Sequence, residues 1–202
     1  MLKRLLLLAL LVTVAACDDD KAAERGPSRF DGVKRTQNNA ATKSFCEVSF
    51  PDGAGARGFT APAERPIPGL PEGKKATGGG WKWINLWATW CHPCIDEIGL
   101  LGKWQQSLHK DGIAIDLELY SVDDDEGALT GWLQKSTMPG TMHWLKGGAA
   151  DLPAVLESFG VDKSAGVPVH ALVDAKGQLR CVRTGSVHDQ DYGAIKAILL
   201  GG

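Results

Sequence analysis

Two cysteines separated by two residues, Cys91 and Cys94, are the side chains of this sequence best suited to chemistry. Thiols at this spacing can pass between a dithiol and a disulfide while little else in the chain moves. An apolar run at residues 81–87 precedes them. Apolar residues at helical spacing follow them: Ile98, Leu101, Trp104 and Leu108. We therefore expect the cysteines at a junction where a strand leads into a helix.

That junction makes Cys91 the expected nucleophile. A helix N-terminus carries unpaired N–H groups and the positive end of the helix dipole. Both favour a thiolate and lower the pKa of the first cysteine from about 8.5 to roughly 3.5–7.5, and the thiolate is the form that attacks disulfides. Cys91 would then form a mixed disulfide with a partner protein, and Cys94, one turn into the helix, would resolve it.

Three neighbouring residues are expected to tune the pair. His92, when protonated, would stabilise the Cys91 thiolate, although a solvent-facing spacer also fits its position. Pro93 fixes φ in the first helical turn, where its missing N–H costs nothing. Trp90, directly before the first cysteine, belongs to the same redox-tuning set, as does Val167 further along the chain.

Other uses of two close cysteines fit this sequence less well. A zinc site with four cysteines needs a second close pair, but Cys46 and Cys181 are far apart. Haem attachment needs a histidine directly after the second cysteine, where Ile95 stands. A structural disulfide without turnover stays open, as does Cu(I) binding by two thiolates. We expect a redox-active disulfide that needs no cofactor and no metal.

The stretch around the cysteines resembles a known family. Residues 85–94, Asn-Leu-Trp-Ala-Thr-Trp-Cys-His-Pro-Cys, followed by Glu97, closely resemble the active-site stretch of membrane-anchored thioredoxin-like proteins of the TlpA/ResA type. The resemblance runs from about Trp81 to the C-terminus. It implies a thioredoxin-like α/β fold, in which a central mixed sheet has helices on both faces. Gly99 and Val169 replace the proline and threonine usual in the family, so partner preference is expected to differ.

The resemblance also implies roles for Pro168 and Glu97. Pro168 matches a cis-proline that faces the cysteines and would let the backbone of Val167 pair with an incoming peptide. Without the resemblance, a trans proline starting an edge strand fits as well. The family glutamate matching Glu97 lies near the active site and influences cysteine reactivity. By spacing alone, Glu97 shares a helix face with Cys94 and could equally be a solvated surface acid.

Residues 1–16 are typical of a secretion signal, with Lys3 and Arg4 before a ten-residue apolar core and small residues. The core is too short for a bilayer-spanning helix, which needs about 20 apolar residues. Residues 14–17, Val-Ala-Ala-Cys, resemble a bacterial lipobox, which predicts lipidation of Cys17; an ordinary signal cleaved nearby is the alternative. Asp18 resembles an inner-membrane retention signal. The expected location is the bacterial cell envelope, at the periplasmic face of the inner membrane.

The chain then divides into a tether and a domain. Residues 17–45 are expected to be a lipidated N-terminus and a disordered tether, because charged and small polar residues dominate them. A flexible tether of about 27 residues spans on the order of 30 Å. Residues 46–202 are expected to form one thioredoxin-like domain. Its remaining cysteines, Cys46 and Cys181, are expected to form a structural disulfide, with two separate buried thiols as the alternative.

Periodicity predicts the order of elements in the domain. The expected strands cover residues 46–50, 81–88, 113–120, 167–173 and 178–184, the last two as a hairpin. Helices are expected after the cysteines as far as Gly112 and over residues 126–135, 150–159 and 189–200. The alternating strand 113–120 should be half-buried, and residues 51–80 and 137–148 should be mostly loop.

Two histidines have side chains that could act as ligands, His170 and His143. His170 lies in a strand expected to be buried, and a satisfied core histidine is the favoured interpretation. His143, with Met138 and Met142, makes a loose cluster of soft ligands that chance explains better.

Charge and composition narrow the partners. The chain has a net charge of −2, and loss of Lys3 and Arg4 leaves 20 basic and 24 acidic side chains, a net charge of −4. Since no basic cluster occurs, nucleic-acid binding is not expected. We expect a monomer that reduces partner-protein disulfides and draws electrons from an upstream membrane donor. Oxidation or isomerisation of secreted proteins and copper handling are the alternatives, because motif residues do not fix a reduction potential within the range of about −120 to −270 mV.

Overall fold

A mixed seven-stranded sheet organises the protein. The computed structural model describes residue 40, residues 42–70 and residues 79–201. The strands are β1 (Val48–Ser49), β2 (Arg57–Gly58), β3 (Trp81–Trp87), β4 (Ile115–Ser121), β5 (Thr141–Trp144), β6 (Val169–Val173) and β7 (Gln178–Thr184). Their order across the sheet is β1-β7-β6-β3-β4-β5, and β2 also pairs with β7.

Beyond residue 79, the described part of the chain has four α-helices, which lie on the two faces of this sheet, as the thioredoxin-like order of elements implied. They are α1 (His92–Lys110), α2 (Glu126–Leu133), α3 (Leu152–Phe159) and α4 (Tyr192–Gly201). Gly112, just after α1, has a φ of 78°, a conformation that glycine adopts without strain and that ends the helix close to its expected limit. Within the described residues, no helix is both long and apolar enough to cross a membrane.

Strand β3 holds the centre of the sheet and leads directly to the cysteines. It pairs with β4 in parallel and with β6 in antiparallel register. Residues 83–87 are fully buried, which explains why this strand is apolar on both faces rather than on alternate residues. The cysteines therefore follow the most enclosed strand of the fold.

Strand β4 corrects one expectation. The alternating pattern over residues 113–120 predicted a half-buried strand, but β4 begins at Ile115 and is buried almost throughout, including Glu118 and Tyr120. The reason is strand β5, which pairs with β4 on the side away from β3. It covers β4 and supplies His143 as a partner for the Glu118 carboxylate. A polar residue can be buried when another element of the fold supplies its hydrogen-bond partner. The alternation of apolar and polar residues in one strand cannot reveal such a partner.

The start of the domain is attached to the far edge of the sheet. Residues 42–45, inside the segment expected to be a tether, are helical, and Phe45 is buried beneath the Arg183 guanidinium. The short strand β1 then pairs with β7. The secretion signal, the lipidation at Cys17 and most of the tether lie outside the described residues.

Candidate functional site

Cys91 and Cys94 occupy the turn from β3 into α1. Cys91 is the N-cap of α1, with an extended backbone, and its sulfur accepts a hydrogen bond from the Cys94 N–H at 3.3 Å. The two cysteines form a disulfide with a Cα–Cα distance of 5.3 Å. Cys91 retains 5% of its accessible surface while Cys94 has none, so an incoming group can reach only the first sulfur.

The residues predicted to tune the pair surround its open side. Pro93 stands in the first turn of α1, where a missing N–H costs no hydrogen bond. Trp90 is 61% exposed beside the disulfide, a large apolar side chain that packing alone does not explain. His92 is exposed at the start of the helix, and its effect on the Cys91 thiolate stays a prediction.

The peptide bond between Val167 and Pro168 is cis. Its loop faces the disulfide, since the Val167 carbonyl oxygen lies 3.6 Å from Cys91 Sγ. Pro168 is buried and Val167 is half-buried, so main-chain groups of this loop border the surface where the first sulfur emerges. This is the placement that the resemblance implied.

A carboxylate that sequence reasoning missed braces the turn before the cysteines. Asp123, 1% exposed, accepts hydrogen bonds from the Thr89 N–H at 3.1 Å, from Thr89 Oγ1 at 2.6 Å and from Ser121 Oγ at 2.7 Å. The indole N–H of Trp144 donates to the Asp123 carbonyl. Polar residues directly after a buried strand were the available signal, because parallel β3 and β4 end at the same edge of the sheet.

Glu97 is buried, which excludes the surface-acid interpretation. Only 3% of the residue is exposed. Its Oε1 accepts a hydrogen bond from Asn85 Nδ2 at 3.1 Å, and its Oε2 accepts one from the Val187 N–H at 2.9 Å. The carboxylate therefore lies one turn beyond Cys94 on the buried face of α1, where donors from two other parts of the fold hold it.

His170 joins the same cluster from β6. The residue is 1% exposed, and Trp83 Nε1 donates to its Nδ1 at 3.2 Å. Its Nε2 lies 3.2 Å from Glu97 Oε1, within ion-pair distance although not in hydrogen-bond geometry. The interpretation of His170 as a core histidine did not foresee this contact with an acid of the site.

An open cleft of about 490 Å³ adjoins the site. It lies between the start of α1 and residues 186–190, and Glu97 reaches its wall. Four further titratable side chains border it: His92, Asp96, His188 and Asp189. Solvent can thus reach the neighbourhood of Glu97 without passing the disulfide.

The second cysteine pair is far from this site. Cys46 and Cys181 form a disulfide with a Cα–Cα distance of 5.3 Å, closing a sequence separation of 135 residues. Cys181 lies in β7 and is 1% exposed. The bond attaches the start of the domain to the sheet.

His143 lies between two carboxylates rather than among soft ligands. Its Nδ1 is 2.6 Å from Glu64 and its Nε2 is 2.5 Å from Glu118, and its ring stacks on Tyr120. Burial opposes the charge on His143, but the hydrogen bonds to Glu118 and Glu64 outweigh it and raise its pKa above 6.5. Among the described residues, no group of three or more histidine, cysteine or acidic side chains is arranged to hold a metal ion.

The sheet order and the helices on both faces define a thioredoxin-like fold, with a disulfide at the start of α1. A sequence relative supports this: the chain is 31% identical over 112 residues to the thiol:disulfide interchange protein DsbE of Haemophilus influenzae, a match covering 53% of this chain and 52% of the relative. The chain is thus similar to a thiol:disulfide interchange protein. It matches only about half the length of that curated relative. No family model matches the chain.

Solved structures that match the chain include two bacterial proteins. A thioredoxin-related protein from Neisseria meningitidis serogroup B is 20% identical, with a TM-score of 0.49, and the match covers 72% of this chain and 97% of that one. StoA from Bacillus subtilis is 14% identical, with a TM-score of 0.45, over 59% of this chain and 84% of that one. The fold assignment rests on the sheet and helices described above.

Proposed function

We propose that this protein is a thiol–disulfide oxidoreductase that reduces disulfides of partner proteins through Cys91 and Cys94. The placement of the Cys91 sulfur carries the proposal. The sulfur accepts a hydrogen bond from the Cys94 N–H at the start of α1, and this hydrogen bond would stabilise a thiolate. It also lies 3.6 Å from the Val167 carbonyl, so an extended partner segment could pair with that loop while its disulfide meets the sulfur.

The reaction has two exchanges. The Cys91 thiolate attacks one sulfur of the partner disulfide; a Cys91–partner S–S bond forms, the partner S–S bond breaks, and the second partner sulfur leaves as a thiolate. Cys94 then loses its proton and attacks Cys91, which closes the Cys91–Cys94 disulfide and releases the first partner sulfur. The partner gains two electrons and two protons, and the Cys91–Cys94 pair is oxidised. An upstream dithiol must return two electrons for another cycle.

Glu97 is the proposed acceptor for the Cys94 proton. Cys94 has no exposed surface, so its proton has no direct exit to water. Glu97 is three residues further along the same buried helix face and also borders the solvent-filled cleft. The proton can therefore pass from the thiol to the carboxylate and from there to the cleft. Catalytic acids and bases commonly occupy such positions between a buried group and water.

The setting of this activity is proposed from the N-terminal sequence. A signal over residues 1–16, lipid at Cys17 and a tether as far as residue 45 would hold the domain, residues 46–202, at the outer side of a bacterial membrane. The Cys46–Cys181 disulfide supports an oxidising compartment, since structural disulfides rarely persist in the cytosol. Partner proteins there would be its substrates, and a membrane dithiol its electron source.

A disulfide-reduction assay tests the proposal. With dithiothreitol as the electron source, the protein should accelerate the reduction of insulin, whereas Cys91→Ser should not. The matched Cys46→Ala/Cys181→Ala variant, measured where it is folded, should keep the activity. Equilibration with glutathione buffers gives the direction: a reductant should have a potential nearer −270 than −120 mV, roughly. No acceleration by the wild-type protein would contradict the proposed activity.

A further inference from the structure

We propose that His170 is a positioning residue for the cysteine pair: from β6 it fixes the buried Glu97 carboxylate next to Cys94 on α1. The inference rests on the proposed function, in which Glu97 takes the Cys94 proton. It adds a third element of the fold, strand β6, to the proton route.

Three nitrogen atoms from separate parts of the chain converge on Glu97, two of them as hydrogen-bond donors and His170 Nε2 at ion-pair distance. The Asn85 amide from β3 lies 3.1 Å from Oε1, the Val187 N–H lies 2.9 Å from Oε2, and His170 Nε2 lies 3.2 Å from Oε1. Amide N–H groups can only donate, so the first two hold a carboxylate by both oxygens. The carboxylate cannot turn about its own axis without losing one of them.

The other ring nitrogen of His170 decides where its proton is. The Trp83 indole N–H, which can only donate, lies 3.2 Å from Nδ1, and the Asn85 Nδ2 lies 3.3 Å from the same atom. A ring nitrogen facing two donors must supply a lone pair. The proton of the neutral imidazole is therefore on Nε2, the nitrogen that faces Glu97. The hydrogen bond from Trp83 thus sets the tautomer in which an N–H of His170 lies at ion-pair distance from the acid.

Burial strengthens the interactions among Glu97, His170 and Asn85. Asn85 and His170 are opposite each other in the pairing of β3 and β6, and both are buried with Glu97. A buried carboxylate is costly unless donors surround it, and its interactions are stronger there than in water. Within the described residues, Asn85 Oδ1 has no partner of its own, because the amide directs both N–H groups to the cluster. The three side chains act as one unit.

Two redox-active thiols and several exposed groups share this neighbourhood. Cys94 on α1 is the thiol whose proton the acid would accept, and Cys91, the N-cap of α1, is the other redox-active thiol. His92, Asp96, His188 and Asp189 border the cleft on the solvent side of Glu97. His170 faces Glu97 from the opposite, buried side. Its replacement should therefore change the position and the proton affinity of the Glu97 carboxylate and leave those exposed groups unchanged.

The reaction of the reduced protein with 5,5′-dithiobis(2-nitrobenzoate) separates the two thiol steps. Attack by Cys91 releases one thionitrobenzoate, and closure by Cys94 releases a second. His170→Leu should slow the second release on the order of tenfold at neutral pH, a part of the ~10²–10⁴-fold that general-base transfer contributes. It should move the pH midpoint of that step in the same direction as Glu97→Gln and leave the first release unchanged.

Matched variants separate positioning from packing. His170→Gln can still donate to Glu97 from its amide and should restore the second release. Glu97→Gln/His170→Leu should be no slower than Glu97→Gln alone, because both changes remove one unit. A His170→Leu variant whose second release matches the wild type in rate and pH midpoint, beside a slow Glu97→Gln, would overturn the inference. Absence of any first release in the wild type would instead overturn the proposed function.

A measurement on the unaltered protein covers the case in which His170→Leu does not fold. The ¹⁵N chemical shifts of the imidazole should show the Nε2–H tautomer of His170 at neutral pH, and reduction of the Cys91–Cys94 disulfide should shift them. An Nδ1–H tautomer would overturn the inference.

Discussion

Removal of the Cys46–Cys181 disulfide should cost the domain much of its stability. The bond closes a sequence separation of 135 residues. In the chain-entropy model, releasing a loop of that length restores about 17 cal/mol/K to the unfolded chain, or about 5 kcal/mol at 25 °C, at the upper end of the 2–5 kcal/mol typical of native disulfides. Cys46→Ala/Cys181→Ala should lose this amount of unfolding free energy.

The Cys91–Cys94 disulfide is the matched control. It closes a separation of 3 residues, for which the same model gives about 1.6 kcal/mol. With a urea dependence of about 2 kcal/mol/M, the first variant should unfold at a midpoint roughly 2.5 M lower, and Cys91→Ala/Cys94→Ala less than 1 M lower. Equal losses in the two variants would refute the proposed role of the long loop.

The same bond should resist mild reduction. Cys181 is 1% exposed, and structural disulfides typically resist glutathione-range buffers whereas catalytic ones do not. Thiol counting in such a buffer should give two thiols per chain, both in the peptide that contains Cys91 and Cys94. Four thiols appearing together would refute the separation of the two bonds.

Three further predictions concern His143 between Glu64 and Glu118, the Asp123 carboxylate before the cysteines, and the lipid at Cys17. The pKa of His143 is raised in the folded protein, so the protonated side chain stabilises the fold. This contribution is complete below about pH 6.5, the pKa of histidine in the unfolded chain, and is lost as the pH rises through the folded pKa. Relative to His143→Gln, the wild-type unfolding free energy should fall by up to ~1.4 kcal/mol per pH unit in that range. The same pH dependence of the unfolding free energy in both proteins would contradict a stabilising role of protonated His143. Asp123→Ala should leave buried donors of Thr89 and Ser121 unpaired and cost about 1–3 kcal/mol in urea unfolding; an unchanged midpoint would argue against the brace. Cys17→Ser should move the protein from the membrane to the soluble fraction of cells, and an unmodified wild-type Cys17 by mass spectrometry would argue against the lipid anchor.

The cysteine site could be predicted because its signals are local. The apolar run of β3, the two cysteines and the helical spacing after them occupy adjacent residues, so the strand-to-helix junction follows from neighbours in sequence. The same holds for the C-terminal hairpin, β6 and β7. The bounds of both were found to within a few residues.

The rest of the site depends on contacts between distant residues. Glu97 meets His170 only because β3 and β6 pair with Asn85 opposite His170. Asp123 reaches Thr89 only because β3 and β4 are parallel and end together. Local spacing encodes neither register. Sequence alone therefore predicts His170 as a core residue and gives no role to Asp123.

The location of the reacting sulfur is the central claim, and one measurement tests it directly. Cys94→Ser protein, incubated with a short disulfide-bridged peptide, should accumulate one mixed disulfide per chain, and mass spectrometry of the digested adduct should place it on Cys91. Cys91 is the partly exposed N-cap sulfur, while Cys94 has no exposed surface, so matched Cys91→Ser protein should form little adduct. An adduct on Cys94 of Cys91→Ser that forms as fast, or none on Cys91, would contradict the account.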